Sequence, residues 1–421
     1  MGSIILPFIL LSCCCTTIIG SSSVSLEKKN MLPQKVALED VFNKDAIDNQ
    51  KKSSMQGASL DDTFSSNTLH ITAEHVDKIN NGNKKWRARL TSRFANKTPE
   101  ELRRFLGVKR TPNAEHRIKR EELRKSLRTI KRTDQPYQKK TENKTEQLPK
   151  EFDSRKEWPE CADQNDQSAC GSCWAVSSAS VMQDRICISS GGELKINISA
   201  EDILSCEKQS FGCDGGWPEN AFNFWKTKGV CTGSDYSDHE GCKPYPFPPN
   251  PDKKLYNTPR CKRRCENRNY KTRYNNDKHY GLDPVNLQNS EDVDIMNAII
   301  EGGPVEADMI VYFDFMAYSE GIYEADEDSV EAGGHAVRIL GWGYHNDSDT
   351  PYWLVANSWG KDWGMDGFFK IARSQDECFI ESWGVNYADP VLSNNTRTSH
   401  GAIRASERRQ ERIEQRQRRN I

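Results

Sequence analysis

The sequence predicts an α+β fold with two subdomains, because helical patterns precede strand patterns in its cysteine-rich region, residues 148–390. A helix is expected over 173–186, within an apolar run, and further helices over 199–205 and 291–301. Apolar segments with strand character follow at 336–340, 352–356 and 367–371. Eleven of the 14 cysteines lie between Cys161 and Cys378, which indicates disulfides in this region and, because the number is odd, at least one thiol.

Length and composition limit the organisation of the chain more than its partners. A chain of 421 residues is expected to hold roughly two or three domains. The formal net charge of −2 gives no reason to expect a nucleic-acid partner. The hydrophobic fraction of 35% is low for a compact domain, so polar, poorly packed segments are expected at 40–66 and 391–421.

The first 23 residues are typical of a secretory signal peptide. An apolar run at 4–15 is too short and too interrupted for a membrane span, and small residues follow at 20–23. The positively charged start is missing, which keeps a membrane anchor as the alternative. A lysosomal or extracellular mature protein without a membrane span is therefore expected. Five glycosylation sequons agree with this route: Asn96, Asn143, Asn197, Asn346 and Asn394.

Residues 24–147 are expected to form a linker, up to about residue 66, and then a helical segment. Trp86, Leu90 and Phe94 are compatible with helical faces, and Thr98-Pro99-Glu100-Glu101 is a helix start that Gly107 would end. A second, basic helix is expected over 114–131. At the other terminus, residues 391–421 contain eight arginines and three glutamates, which favours a disordered tail over a polyanion-binding segment.

The strongest chemical signal is the motif at residues 167–174. Cys173 lies at the first turn of the expected helix, where the helix dipole favours a thiolate, and the small residues before it leave room for a carbonyl. The sequence from Cys170 to Trp174 fits the signature around the nucleophile of papain-like proteases at every position. Cys170 and Cys173 also form a Cys-x-x-Cys pair, which leaves a redox or zinc function as alternatives.

A thiol nucleophile needs a base and a group that orients that base. His335 follows two glycines and is expected at the start of a strand, whereas His239, His279 and His345 lie in polar loops and are expected to be exposed. Asn357 follows another strand and could orient a histidine ring while Trp359 shields the bond from water. No metal and no cofactor are predicted.

Together these motifs resemble the papain family, and residues 148–158, 184–187, 333–343 and 353–359 resemble its cathepsin B-like members. The resemblance implies a papain-like fold, with a helical and an antiparallel β subdomain, preceded by an inhibitory propeptide that ends near Leu148. It implies protein or peptide substrates and possible cystatin-type inhibitors. It implies Cys173 as nucleophile, His335 as its proton partner, Asn357 as the orienting residue and Gln167 as an oxyanion donor. The residues implied in substrate binding are Gly215, Gly216, Gly334, Trp359 and Trp383.

The resemblance also implies a disulfide pattern, which the spacing alone does not give. The implied pairs are Cys161–Cys187, Cys170–Cys213, Cys206–Cys261 and Cys242–Cys265. Cys231 and Cys378 are left either paired with each other or free.

Two departures from cathepsin B bear on specificity. Residues 248–257 form a shorter loop that lacks the histidine pair of the family's occluding loop, so weak or absent peptidyl-dipeptidase activity and predominant endopeptidase activity are expected. Trp383 stands where cathepsin B has an acidic residue in the S2 pocket, so an apolar P2 residue is expected. A non-catalytic papain-fold binding protein remains the alternative function.

Overall fold

The computed structural model describes residues 71–82, 84–109, 122, 148–161, 164–249, 255–288, 290–326, 328–345 and 350–392. All described residues belong to one compact unit of the chain, Ser66–Ile421. The signal peptide, the linker, nearly all of the basic helix over 114–131, and the tail beyond residue 392 lie outside the described residues.

Helices and strands follow the predicted order within residues 148–392. The helices are α1 (Ala73–Asn81), α2 (Pro99–Arg103), α3 (Ser154–Glu157), α4 (Cys173–Ser189), α5 (Ala200–Cys206), α6 (Pro218–Lys228) and α7 (Asp292–Gly302). The strands are β1 (Trp86–Ala88), β2 (Phe152–Asp153), β3 (Val285–Asn286), β4 (Val305–Tyr312), β5 (Tyr318–Tyr323), β6 (Glu331–Tyr344), β7 (Pro351–Ala356), β8 (Phe368–Ala372) and β9 (Val385–Tyr387). Short 3-10 helices occupy Gly212–Asp214, Tyr274–Asn276, Phe313–Ala317 and Glu377–Phe379.

The strands form one sheet in the order β1-β5-β8-β7-β6-β4-β9-β3, with β2 added to β6. The pairs are antiparallel except for β5 with β8. One apolar cluster covers this sheet and a second surrounds α4, α5 and α6. None of the helices in the described part of the chain has the length and apolarity that crossing a bilayer requires.

Helix α4 is the central element of the helical half. It is buried on almost every side, so it lacks the one-sided apolar stripe of a surface helix. Its serines are compatible with burial because each hydroxyl donates to a carbonyl one turn earlier: Ser177 to Cys173, Ser178 to Trp174 and Ser180 to Val176. An ion pair between Asp184 on α4 and Arg338 on β6, 2.7 Å long, joins the helix to the sheet.

Four sequence expectations were wrong. Trp86 belongs to an edge strand, not a helix, because the segment pairs with β5 and its indole packs on Tyr318 and Tyr323. His335 lies inside β6, not at its start, because the pairing with β4 extends back to Glu331. His279 is half-buried, not exposed, since its backbone pairs with Val230. His345, expected exposed, is also half-buried, whereas His239 is exposed.

Candidate active site

Cys173 is the first residue of α4 and is fully buried. The loop before it is fixed by the Cys170–Cys213 disulfide and by a hydrogen bond from the Gly171 N–H to the Cys213 carbonyl, 3.0 Å. Cys170 is therefore not available as a redox or zinc partner of Cys173. The arrangement leaves a single thiol at the N-terminus of a buried helix, where a thiolate would be stabilised by the helix dipole.

The imidazole of His335 is held from two directions. Its Nε2 lies 2.8 Å from Asn357 Oδ1, and its ring stacks on Trp359 with the centroids 4.7 Å apart. The oxygen of Asn357 is fixed in turn by the N–H of Ser358, at 2.8 Å. The other ring nitrogen, Nδ1, is buried and has no hydrogen-bond partner among the described residues, which leaves it available for proton transfer.

Gln167 points its amide group into the cleft through which residues 107–109 pass. Its Oε1 accepts a hydrogen bond from Ser358 Oγ at 2.6 Å, so the amide is oriented with its NH₂ group away from that serine. Nε2 donates to the carbonyls of Cys170, at 2.8 Å, and Phe105, at 3.0 Å. A carbonyl oxygen from residue 105 therefore occupies the position in which this donor would stabilise an oxyanion.

Residues 107–109 pass through the cleft as an extended segment. The N–H of Val108 donates to the Gly334 carbonyl and the N–H of Lys109 to the Gly216 carbonyl, both at 3.0 Å, and the N–H of Gly216 donates to the Gly107 carbonyl at 2.7 Å. A side chain at Gly107 would lie 2.1 Å from the Gly171 oxygen and 3.1 Å from Cys173 Sγ. Only glycine fits this closest approach to the thiol.

Burial controls the protonation of the thiol and the imidazole. It raises the pKa of Cys173 to about 12, against hydrogen bonds from the backbones of Ala336 and Gly107. It lowers the pKa of His335 to about 4, against the hydrogen bond with Asn357. Because the thiol is the weaker acid by a wide margin, the proton stays on sulfur and both groups are neutral while the cleft is filled.

The side chain of Val108 occupies an apolar pocket beside the thiol. The cluster around it contains Ile310, Phe379 and Trp383, and Trp383 is fully buried. The nearby carboxylate of Glu381 belongs to another part of the structure, since it accepts hydrogen bonds from Trp353 Nε1 and from the backbone N–H groups of Ser374 and Asp376. The pocket next to Cys173 is thus lined by apolar and aromatic side chains.

The remaining cysteines form the pairs implied by the resemblance: Cys161–Cys187, Cys170–Cys213, Cys206–Cys261 and Cys242–Cys265. Cys231 and Cys378 do not form a disulfide with each other, and both are buried. Of the five sequons, Asn96 is exposed and Asn197 is half-buried. Asn143, Asn346 and Asn394 lie outside the described residues.

The site also depends on residues that the sequence did not reveal. Ser358 orients Gln167, and Phe379 lines the apolar pocket. Asp166, next to Gln167 in sequence, binds Arg93 at the edge of the cleft. In the sequence, the only indication of these three residues was that Ser358 follows Asn357, Phe379 follows Cys378 and Asp166 precedes Gln167.

The chain is similar to several known proteins. Residues 148–387 match the profile of the papain family of cysteine proteases. A cathepsin B-like cysteine proteinase of Schistosoma japonicum is 48% identical over 250 residues, which are 56% of this chain and 72% of that protein. Cathepsin B-like cysteine proteinase 6 of Caenorhabditis elegans is 43% identical over 276 residues, 62% of this chain and 72% of that protein.

Solved structures of proforms are also similar. Procathepsin B S9 from Trypanosoma congolense has a TM-score of 0.60 and 34% sequence identity, and the match covers 76% of this chain and 99% of that one. The proform of the ragweed pollen protease Amb a 11 has a TM-score of 0.54 at 21% identity, with coverage of 76% and 86%, and supports the fold alone.

Proposed function

The chain belongs to the papain family of cysteine proteases, with cathepsin B-like relatives, and from this premise we propose that it is a secretory zymogen whose mature form is an endopeptidase. The observation that carries the proposal is the burial of Cys173, at the start of α4, beside the backbone of Ala336, the residue that follows His335. The propeptide is the segment before Leu148, and residues 105–109 are its inhibitory part. The destination is the lysosome or the exterior of the cell.

In the proposed mechanism, removal of the propeptide admits water and transfers the thiol proton to His335. The Cys173 thiolate attacks the carbonyl carbon of the substrate, and the oxyanion accepts hydrogen bonds from Gln167 Nε2 and the N–H of Cys173. His335, oriented by Asn357, then donates its proton to the leaving nitrogen. Water, deprotonated by the same imidazole, then attacks the acyl carbon and breaks its bond to sulfur. The acyl group leaves as a carboxylic acid, and the thiolate and the protonated imidazole are regenerated.

We place the acyl half of the substrate along Gly215 and Gly216. After the propeptide has left, their backbone would pair with an extended peptide as Gly216 now pairs with Gly107 and Lys109. Gly334 forms the opposite wall of the cleft. The P2 side chain then enters the pocket that Val108 fills, so an apolar residue is favoured there. This assignment rests on the pairing of the propeptide and on the apolar lining around Trp383.

Endopeptidase activity is proposed to exceed peptidyl-dipeptidase activity. The loop of residues 248–257 has no histidine with which to hold a terminal carboxylate. Its ends are tied to the loop before Cys173, because Ser168 Oγ donates to the Pro248 carbonyl at 2.6 Å and the N–H of Tyr256 to the Ala169 carbonyl at 3.4 Å.

The test is labelling by an epoxysuccinyl probe, followed by a cleavage profile. The activated wild type should bind the probe once, at Cys173, and cut internal bonds of unlabelled peptides. Cys173→Ser should do neither, whereas Cys231→Ser, which removes a buried thiol elsewhere, should do both. Equal labelling of Cys173→Ser and wild type would contradict the assignment. Efficient sequential release of C-terminal dipeptides would contradict the endopeptidase proposal.

A further inference from the structure

A buried ion pair joins the propeptide to the edge of the cleft. Arg93 Nη2 lies 2.5 Å from Asp166 Oδ2 and Arg93 Nη1 lies 3.2 Å from Oδ1, so the guanidinium binds the carboxylate with two hydrogen bonds. Only 5% of the arginine side chain and 16% of the aspartate side chain are exposed. Bidentate pairing of this kind is selective for the planar guanidinium and is among the stronger polar contacts in proteins.

The mature part of the chain forms the receptor of this pair. Asp166 Oδ1 also accepts the N–H of Ser168 at 2.8 Å, which fixes the carboxylate independently of Arg93. Gly360, with φ at +78°, leaves the space open, because a side chain there would lie 2.5 Å from Asp166 Oδ2 and 3.1 Å from Arg93 Nη2. The carboxylate is therefore already positioned when no arginine is bound.

The position of Asp166 relative to the thiol identifies the half of the substrate that it would meet. Gly216 and the Val108 pocket lie on the acyl side of Cys173. Asp166 pairs through its backbone with Trp359, the residue that covers His335, and His335 must protonate the leaving nitrogen. Phe94, next to Arg93, also packs on Trp359, with the ring centroids 5.0 Å apart. The Asp166 site is thus on the leaving-group side.

A cavity beside Arg93 lies between propeptide residues 89–93 and the mature part of the chain. It has a volume of about 340 Å³ and is lined by Arg93 together with Thr91, Lys361 and Asp366. Because Arg93 is part of the propeptide, its departure would leave the fixed Asp166 carboxylate without its guanidinium partner.

We infer that Asp166 forms a subsite for an arginine side chain on the leaving-group side of the substrate, and that Arg93 occupies this subsite in the zymogen. The inference rests on the proposed endopeptidase function. It adds a second determinant of specificity, separate from the apolar P2 pocket: a bound substrate places an apolar residue before the cleaved bond and a basic residue after it.

The test uses quenched fluorescent peptides with one common acyl half. Each of the first three leaving-group positions carries in turn arginine or citrulline, which keeps the shape of arginine without its charge. For the activated wild type, arginine should raise kcat/KM about tenfold over citrulline at one of the three positions, as expected for a hydrogen-bonded charge pair. The effect should appear mainly in KM.

Two variants of the full-length chain, activated in the same way, locate the effect. Asp166→Asn should bring the arginine-to-citrulline ratio close to one, and because the ratio is taken within one variant, a general loss of activity cancels. Asp366→Asn removes an exposed acidic residue of the same cavity and should retain the ratio.

A wild-type ratio near one at all three positions would overturn the inference, and this measurement does not depend on the folding of any variant. A wild-type preference that Asp166→Asn retains would overturn it too. If the wild type cuts none of the peptides, the endopeptidase proposal itself fails, which is a different outcome from cleavage without preference.

Discussion

Replacing Trp383 with glutamate should shift the P2 preference of the enzyme from phenylalanine towards arginine. In the wild type the pocket is lined by Trp383, Phe379 and Ile310. Burying a phenylalanine side chain there is worth about 1.5–3 kcal/mol. An arginine without a counter-charge loses hydration at a cost of several kcal/mol, part of which it avoids by keeping its head group in water. We therefore expect a difference of about 3 kcal/mol, or about 100-fold in kcat/KM, in favour of phenylalanine.

The assay compares fluorogenic Phe-Arg and Arg-Arg substrates with the activated enzyme. Trp383→Glu should raise kcat/KM for Arg-Arg at least tenfold relative to Phe-Arg, because the new carboxylate supplies the missing counter-charge. Trp383→Gln is the control, because glutamine has nearly the shape of glutamate without its charge. This variant should still cleave the Phe-Arg substrate faster than the Arg-Arg substrate. Comparable rates of the wild type on the two substrates would refute the pocket assignment.

Three further predictions concern the zymogen. In a Cys173→Ser zymogen no thiol proton can pass to the imidazole, so propeptide release should depend on the protonation of His335. Because burial lowers the pKa of His335 to about 4, below its ordinary value of 6.5, the contribution of the neutral imidazole to propeptide binding is complete above pH 6.5 and is lost as the pH falls towards 4. Propeptide release should therefore become about 3 kcal/mol more favourable over this interval. Propeptide release, measured by tryptophan fluorescence, should depend clearly less on pH in a His335→Asn zymogen. Arg93→Ala should speed activation about tenfold or more, because it leaves Asp166 buried without its partner, and an unchanged activation rate would contradict this. Arg104→Ala breaks an exposed ion pair and should leave the activation rate unchanged. Gly107→Val should expose the thiol to alkylation in the uncleaved chain, and full protection would contradict the close packing at that glycine.

The parts of the fold that the sequence predicted are those with strong local signals. Helices α4, α5 and α7 and strands β6, β7 and β8 were confirmed to within a few residues, apart from the N-terminal extension of β6. Helix α5 begins after Ser199, whose hydroxyl accepts the N–H of Asp202, so its start was visible as a capping residue. The family and the α+β fold were confirmed as well.

The errors came from contacts between residues distant in the chain. The sequence around Trp86 carries no local strand signal. It forms a strand because it pairs with the edge of β5, more than two hundred residues later in the chain. The Arg93–Asp166 pair spans 73 residues and has no motif. Spacing alone does not indicate such partners. Whether a charged side chain becomes buried depends on how the propeptide packs on the cleft.

The same packing explains how one short segment both blocks and inactivates the site. Steric occupation by Gly107 and Val108 would exclude substrate even if the catalytic pair were charged. Their burial of Cys173 and His335 adds a second effect, because desolvation opposes the charge separation that makes the thiol a nucleophile. Substrate access and thiol activation are therefore coupled, and a propeptide change that admits water should raise thiol reactivity even where it leaves the peptide chain in the cleft.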